Sequence, residues 1–306
     1  MPTHRHSPVG ALSRARLPFA FAVAVRRSGI LPATAVAFAF VAAGLTLRAC
    51  AAPTLTESPA QITVANSHFT VTFDPARGGT ISELRLPDGS LVCSGHNMYT
   101  DWGIFPERSY HGTANCHATV QTRRDGESVT VRAEGKLCDS KGVVSSDPGA
   151  IAYWFEVTVG DAPDLRIAWG VMPDFAKLVE SAFFAHQFSA HSCIGTFANT
   201  ESGVLLRDMA TQSERTIQSA EDPLDAKAPW LGLMRADGSI LAFTDLSGTP
   251  SFENVFFHED GNGNAGVFFA WLCGGAHLAM EPGKEWRGGF TLRVVPSFEE
   301  FRARFQ

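Results

Sequence analysis

The stretch TDWGIFPERSYHGTAN, residues 100–115, gathers Trp102, Phe105, Arg108, Tyr110, His111 and two acids without the alternation of a strand or the repeat of a helix. Histidine titrates closest to neutrality of all side chains, so it is the group best suited to move a proton at a hydroxyl, or to hold that hydroxyl by a hydrogen bond. Aromatic rings beside a guanidinium suit a ligand with an apolar face and a polar rim. A second polar cluster, EDGNGNAG, alternates Asp260, Asn262 and Asn264 as a calcium loop does, but no acid follows where a bidentate ligand would close the shell. It reads as a glycine-rich hairpin tip. No C-x-x-C pair, serine nucleophile elbow, phosphate loop or dinucleotide fingerprint occurs, so no metal and no cofactor is expected.

The N-terminus reads as an address. Arg5, Arg14, Arg16, Arg26 and Arg27 form a basic segment without an acid, and residues 28–47, SGILPATAVAFAFVAAGLTL, carry no charge. Residues 1–52 are therefore expected to be a signal peptide or lipoprotein leader, with Pro32 and the many alanines favouring cleavage over a membrane anchor. Ala49 and Ala51 make one cleavage pattern. LRAC resembles a lipobox with Cys50 as the lipidated residue, although Arg48 fits that pattern poorly. Either route exports the chain, as a periplasmic or outer-membrane lipoprotein or as a secreted protein. Six of the 25 basic residues and none of the 31 acidic ones precede residue 50, so the remainder carries 19 basic residues against 31 acidic, a net charge of −12. Such a surface argues against nucleic acid and anionic membrane as partners and suits a neutral ligand. Membrane attachment would come only through the lipid on Cys50. Beyond the leader lie Cys93, Cys116, Cys138, Cys193 and Cys273, and export makes a mixture of buried thiols and one or two disulfides the expectation.

These residues need a scaffold, and the rest of the chain supplies a β one. After a short tether at 53–60, QITVAN, HFTVTFD and TISELRL alternate apolar and polar residues with period two. Asp88-Gly89, Asp125-Gly126 and Asp237-Gly238 each lie between two such runs and predict hairpins. Ten further strands are expected, among them AIAYWFEVTV, DLRIAWGVM and RGGFTLRVV. Two places look helical: PDFAKLVESAFFAHQ, and the closing SFEEFRARF with Ser297 as N-cap. The expected architecture is all-β, one large antiparallel sandwich over 61–306. Function is expected in its long connections, 94–115, 173–200, 206–228 and 259–266.

Three segments carry a resemblance. HFTVTFDPARGGTISELRLPDGSLV resembles the opening of galactose mutarotase-like domains, a strand running into a Gly-Gly turn, an I-x-x-L strand and a DG hairpin. YWFEVTVGDAPDLRIAWGV is similar to the mid-domain hairpin of that superfamily, and MEPGKEWRGGFTLRVV to its closing strand pair. The resemblance implies a β-supersandwich that handles mono- or oligosaccharides. Aldose 1-epimerases of the superfamily use a His in an HG pair, a second His in H-x-F and a late Glu, as base and acid at the anomeric hydroxyl and ring oxygen. In this chain YHG places His111 and AHQF places His186, 75 residues apart, with His191 a rival for the second position. The late Glu is missing from GVFFAWLCGG, and Glu281 and Glu259 are the nearest acids, both displaced. Trp102, Arg108, Tyr110 and Trp271 are the expected saccharide contacts, and Trp102 is expected to share a cleft with at least one of Trp154, Trp230 and Trp271. Three readings stand side by side: a carbohydrate-binding protein, a sugar epimerase or carbohydrate-cleaving relative using His111, and a structural envelope protein without a ligand.

Overall fold

A computed structural model describes residues 52–100, 103–105, 110–190, 193–200, 203–208, 229–250, 254–259 and 265–305. Alternation of apolar and polar residues sets its layers, because successive side chains of a strand point to opposite faces and one face must be covered. The chain opens with β1 (Thr54–Glu57), β2 (Ile62–Ala65), β3 (Thr70–Phe73), β4 (Ile81–Arg85) and β5 (Leu91–Thr100). There follow β6 (His111–Gly112), β7 (Thr119–Asp125), β8 (Ser128–Lys136), β9 (Ile151–Val159), β10 (Asp164–Pro173) and β11 (Lys177–Ala190). The last third holds β12 (Cys193–Thr200), β13 (Gly203–Asp208), β14 (Leu231–Arg235), β15 (Ile240–Thr249), β16 (Asn254–Glu259), β17 (Ala265–Met280), β18 (Trp286–Val295) and helix α1 (Phe298–Phe305).

Among the described residues these strands form two antiparallel nine-stranded sheets. The first runs β1-β2-β3-β4-β5-β11-β17-β16, with β6 paired to the end of β5, and the second runs β13-β12-β14-β15-β18-β10-β9-β8-β7. The all-β sandwich expected from the alternation is the one observed. The three Asp-Gly pairs all turn hairpins, between β4 and β5, β7 and β8, and β14 and β15.

Two expectations are corrected. Residues 173–187 are not helical: from Lys177 they belong to β11, paired with β5 on one side and β17 on the other. The reason is visible in the burial. Ala182, Phe184, His186 and Phe188 are all buried at period two, and a strand between two partners satisfies its backbone on both edges, which overrides local helix propensity. Within the supposed tether, Thr54–Glu57 form β1 and pair with β2 in register from Thr54↔Ala65 to Glu57↔Ile62. The closing helix is as expected. Ser297 caps α1, its Oγ accepting from the Glu300 N–H at 3.2 Å.

Between the sheets lies an aromatic core of Phe155, Trp169, Phe184, Phe188, Phe243, Phe269 and Phe290. Polar stitches cross from sheet to sheet at the edges. Arg235, 3% exposed, reaches from β14 to donate to the Leu91 carbonyl at 3.0 Å, and Asn66 donates to the Gly160 and Ala162 carbonyls at 2.9 and 3.1 Å. Helix α1 covers a second cluster on the other side of the second sheet, with Phe301 against Phe197 and Trp230. Here Gly232 is required by contact: a Cβ at that position would fall 1.9 Å from the Phe197 ring. Gly232→Ala is expected to lower stability by about 3 kcal/mol, because Phe197 is held in place by Trp230 and Phe301. Chemical denaturation measures it, and an unchanged midpoint would show that the cluster yields.

Candidate functional site

The two-residue strand β6 is the part of the polar loop that the structure describes most fully. Tyr99 and Thr100 at the end of β5 pair with Gly112 and His111, and Gly112 bridges in turn to Cys138, with reciprocal N–H···O bonds of 2.9 and 3.1 Å. The Asn97 side chain anchors the following turn, its Oδ1 accepting from Thr113 N, Thr113 Oγ1 and Ala114 N at 3.0, 3.2 and 3.0 Å. His111 is therefore set by backbone pairing on both sides of its neighbour. Its ring, 5% exposed, stacks on Phe105 at a centroid distance of 3.7 Å. Lys177, from β11, donates to the Ile104 carbonyl at 2.5 Å and so holds the Phe105 segment over the end of the sheet.

A carboxylate converges on this histidine. Asp139 Oδ1 accepts from the backbone N–H groups of Lys141 and Val143 at 2.8 and 2.9 Å. Those bonds hold the Asp139 carboxyl below the usual range, and the nearby His111 adds to the effect. The Cys138–Gly112 bridge is what brings Asp139 there. On the opposite face of the strands, Tyr99 and Tyr110, both half-buried, face each other with centroids 4.7 Å apart. The rim of the first sheet thus joins an aromatic pair, an imidazole and an anion, a set able to pack an apolar ligand face and to exchange hydrogen bonds or a proton with hydroxyls.

His186 is placed elsewhere. It pairs with Met98, two residues along β5 from Thr100 and on the strand at the other side of β5 from β6, which puts its Cα roughly 12 Å from that of His111 by strand spacing and rise. Its side chain is fully buried between the sheets, against Trp169, Phe269 and Phe290. There Nδ1 shares a 3.0 Å hydrogen bond with Nε2 of His96, which stacks on Phe155. Burial pulls both histidines down, His96 to about 3 and His186 well below its ordinary value, so both are neutral at physiological pH. A side chain in that position serves the core and does not meet a ligand arriving from solvent. Glu281 follows Met280, the pairing partner of Lys177, so it lies at the same end as the Phe105 segment, but it is exposed and ion-paired with Lys284 at 3.2 Å.

The tryptophans separate. Trp230, 2% exposed, belongs to the cluster under α1. Trp154 lies on the outer face of the second sheet, against Gly170, where a Cβ would come within 2.3 Å of its Nε1. With Ala168, Ser247, Thr249 and Arg287 it borders a shallow groove of about 280 Å³. Trp102, Arg108, His191 and Cys50, together with residues 260–264, lie outside the described residues, as do the side chains of Trp271, Cys273 and Glu259. Among the described residues no three His, Cys, Asp or Glu side chains cluster to hold a metal ion, and no helix is long and apolar enough to cross a membrane. Asp139 escaped the sequence reading. Its D-x-x-G spacing marks a turn, but nothing in the linear order ties it to a histidine on another strand.

No protein-family model matches the chain, and no curated protein matches it in sequence. Solved structures do match in three dimensions. A galactose mutarotase-like protein from Clostridium acetobutylicum superposes with a TM-score of 0.52 at 11% identity, over 79% of this chain and 98% of that one. Galactose 1-epimerase from Lactobacillus acidophilus and an aldose epimerase homologue from C. elegans each give 0.49 at 11% identity, over 80% of this chain and 98% and 100% of theirs. At such identity the likeness is one of fold: the chain has the galactose mutarotase-like sandwich.

Proposed function

We propose that this chain is an exported carbohydrate-binding protein whose saccharide is held at the rim of the first sheet formed by β5 and β6, which carries Tyr99, Tyr110 and His111. The observation that carries the reading is the half-buried Tyr99–Tyr110 pair on the rim strands whose other face carries His111. A pyranose has an apolar C–H face and a rim of hydroxyls, and these side chains complement both. The fold supports it, since the sandwich is one that sugar-handling proteins use, although fold alone never fixes function. The net charge of −12 beyond residue 49 favours a neutral sugar over an anionic one. Tyr110→Ala is expected to weaken binding at least tenfold, about 1.4 kcal/mol, with the fold retained because the ring is only half-buried. Calorimetric titration with the best saccharide from a glycan array checks it. Unchanged affinity would remove the tyrosines from the site.

A second reading, turnover of the sugar as an aldose 1-epimerase does, is favoured by one particular: the Gly112–Cys138 bridge brings the segment of Asp139 alongside that of His111. Ring opening needs one group to accept the anomeric proton and another to protonate the ring oxygen, and Asp139 with His111 offers such a pair. Polarimetry of a freshly dissolved anomer decides this. Acceleration by the parent that is lost in Asp139→Asn and His111→Gln supports catalysis, and the uncatalysed rate with the parent leaves binding alone. Export and lipidation at Cys50 rest on the leader. Mass spectrometry of the exported protein is expected to find residues 1 to about 50 removed. An intact N-terminus on a membrane-extracted chain would instead identify an anchor.

A further inference from the structure

Two thiols lie directly beneath the His111 strand, and the saccharide reading gives them no task. Cys116 ends the turn that leaves β6, its N–H donating to the Thr113 carbonyl at 3.1 Å, and its Sγ donates to the Gly112 carbonyl at 2.9 Å. Gly112 is the residue that bridges to Cys138. The Gly112 carbonyl thus accepts from both the Cys116 thiol and the Cys138 N–H, the latter at 3.1 Å, so the two cysteines meet at one oxygen. Both residues are buried, at 1% and 5% exposure, beside Tyr153, whose hydroxyl donates to the Gly78 carbonyl at 3.0 Å. The Cys138 thiol donates to the Lys136 carbonyl at 3.4 Å, and Cys93 and Cys193 likewise donate to carbonyls two residues away, those of Gly95 and Gly195.

We propose that Cys116 and Cys138 are joined by a disulfide in the mature protein, a covalent link that fixes the His111–Gly112 strand to the segment following β8. The Gly112 carbonyl already holds the Cys116 sulfur next to the Cys138 backbone, so the two cysteines meet at one point of the fold. The bond closes the loop 116–138, from the turn after β6 to the segment after β8, and stabilises by restricting the unfolded chain. The oxidant is a disulfide, either a small-molecule one such as oxidised glutathione or that of a dithiol oxidase. One cysteine thiolate attacks it and expels a thiolate. The second cysteine then displaces the other half from the mixed disulfide. Two cysteine thiols lose two protons and two electrons, and the oxidant leaves as two thiols. Burial, and then the neighbouring Cys138, push the Cys116 thiol up, so the reaction belongs to the folding chain, before the site closes.

The inference stands independently of the saccharide reading. Its test uses the full chain, unfolded, refolded in a glutathione redox buffer, alkylated in denaturant without reductant, and digested with trypsin. The expected product joins peptides 109–123 and 137–141, is 2 Da lighter than the two thiol peptides together, and separates on reduction. Cys116→Ser and Cys138→Ser are each expected to lower Tm by on the order of 10 °C, and reductant should lower the parent but neither variant. Full alkylation of both cysteines without reductant, or linkage of either to a different cysteine, overturns the assignment. Should the variants fail to fold, the peptide map of the parent alone decides.

Discussion

As the pH falls below about 6.5 the protein is expected to lose stability, by up to about 1.4 kcal/mol per pH unit for each of two buried histidines. His96 and His186 share a hydrogen bond inside an aromatic core, and burial holds both folded-state values far below the ordinary one, His96 at about 3. The folded protein thus keeps both imidazoles neutral while the unfolded chain takes up protons as the pH falls through about 6.5. A depressed value contributes stability above the unfolded-state pKa and loses it on acidification. Below about pH 3 the loss for His96 is complete. The window separates these histidines from Asp88, Asp139, Asp237 and Asp245, whose carboxyls are also held low but release stability only nearer pH 4 and below. Since a domain of this kind is stable by about 5–15 kcal/mol, the effect brings it close to unfolding. Urea titrations followed by tryptophan fluorescence at pH 7.5, 6.5, 5.5 and 4.5 measure it. Equal midpoints at pH 7.5 and 4.5 would mean that the pair is protonated in the folded state.

His111→Ala is expected to weaken saccharide binding by about 100-fold, roughly 2.7 kcal/mol, and His111→Gln by about tenfold. Alanine removes the hydrogen-bonding group and also the surface on which Phe105 stacks at 3.7 Å, so the Phe105 segment loses one of its supports. Glutamine keeps a donor and an acceptor near the imidazole nitrogens but cannot exchange a proton near neutrality. The two variants therefore divide binding from chemistry: a turnover loss much larger than the affinity loss in His111→Gln assigns proton transfer to this residue. Parental binding and turnover in both would show that the loop's chemistry is unused.

The scaffold could be read because its signals are local. Period-two alternation located the strands from QITVAN to RGGFTLRVV, and each Asp-Gly pair supplied the backbone freedom that its hairpin turn needs. β11 was misread because Phe175, Leu178, Phe183 and Phe184 suggested one helical face, while the deciding fact, partners on both edges, is not local. That error carried into the site. With 177–190 as a strand, His186 shares the inward face with Ala182, Phe184 and Phe188 and meets His96, which no motif had marked. His111 came from a motif, but Asp139 needed the Gly112–Cys138 bridge, a contact between chain segments that sequence order does not reveal. Tyr99 became part of the site the same way, through a strand that ran further into the polar loop than its alternation suggested.

Saturable binding of a neutral saccharide at the Tyr99–Tyr110–His111 rim is the claim on which the functional account depends. The direct measurement screens the protein against a glycan array at pH 7.5 and titrates the strongest hit calorimetrically into the parent and Tyr110→Ala. The account predicts a one-site isotherm for the parent and an affinity at least tenfold lower for the variant, with both proteins equally folded. Absence of binding to any saccharide by the folded parent, or equal affinity in both proteins, would contradict it and leave a sandwich whose rim serves structure alone.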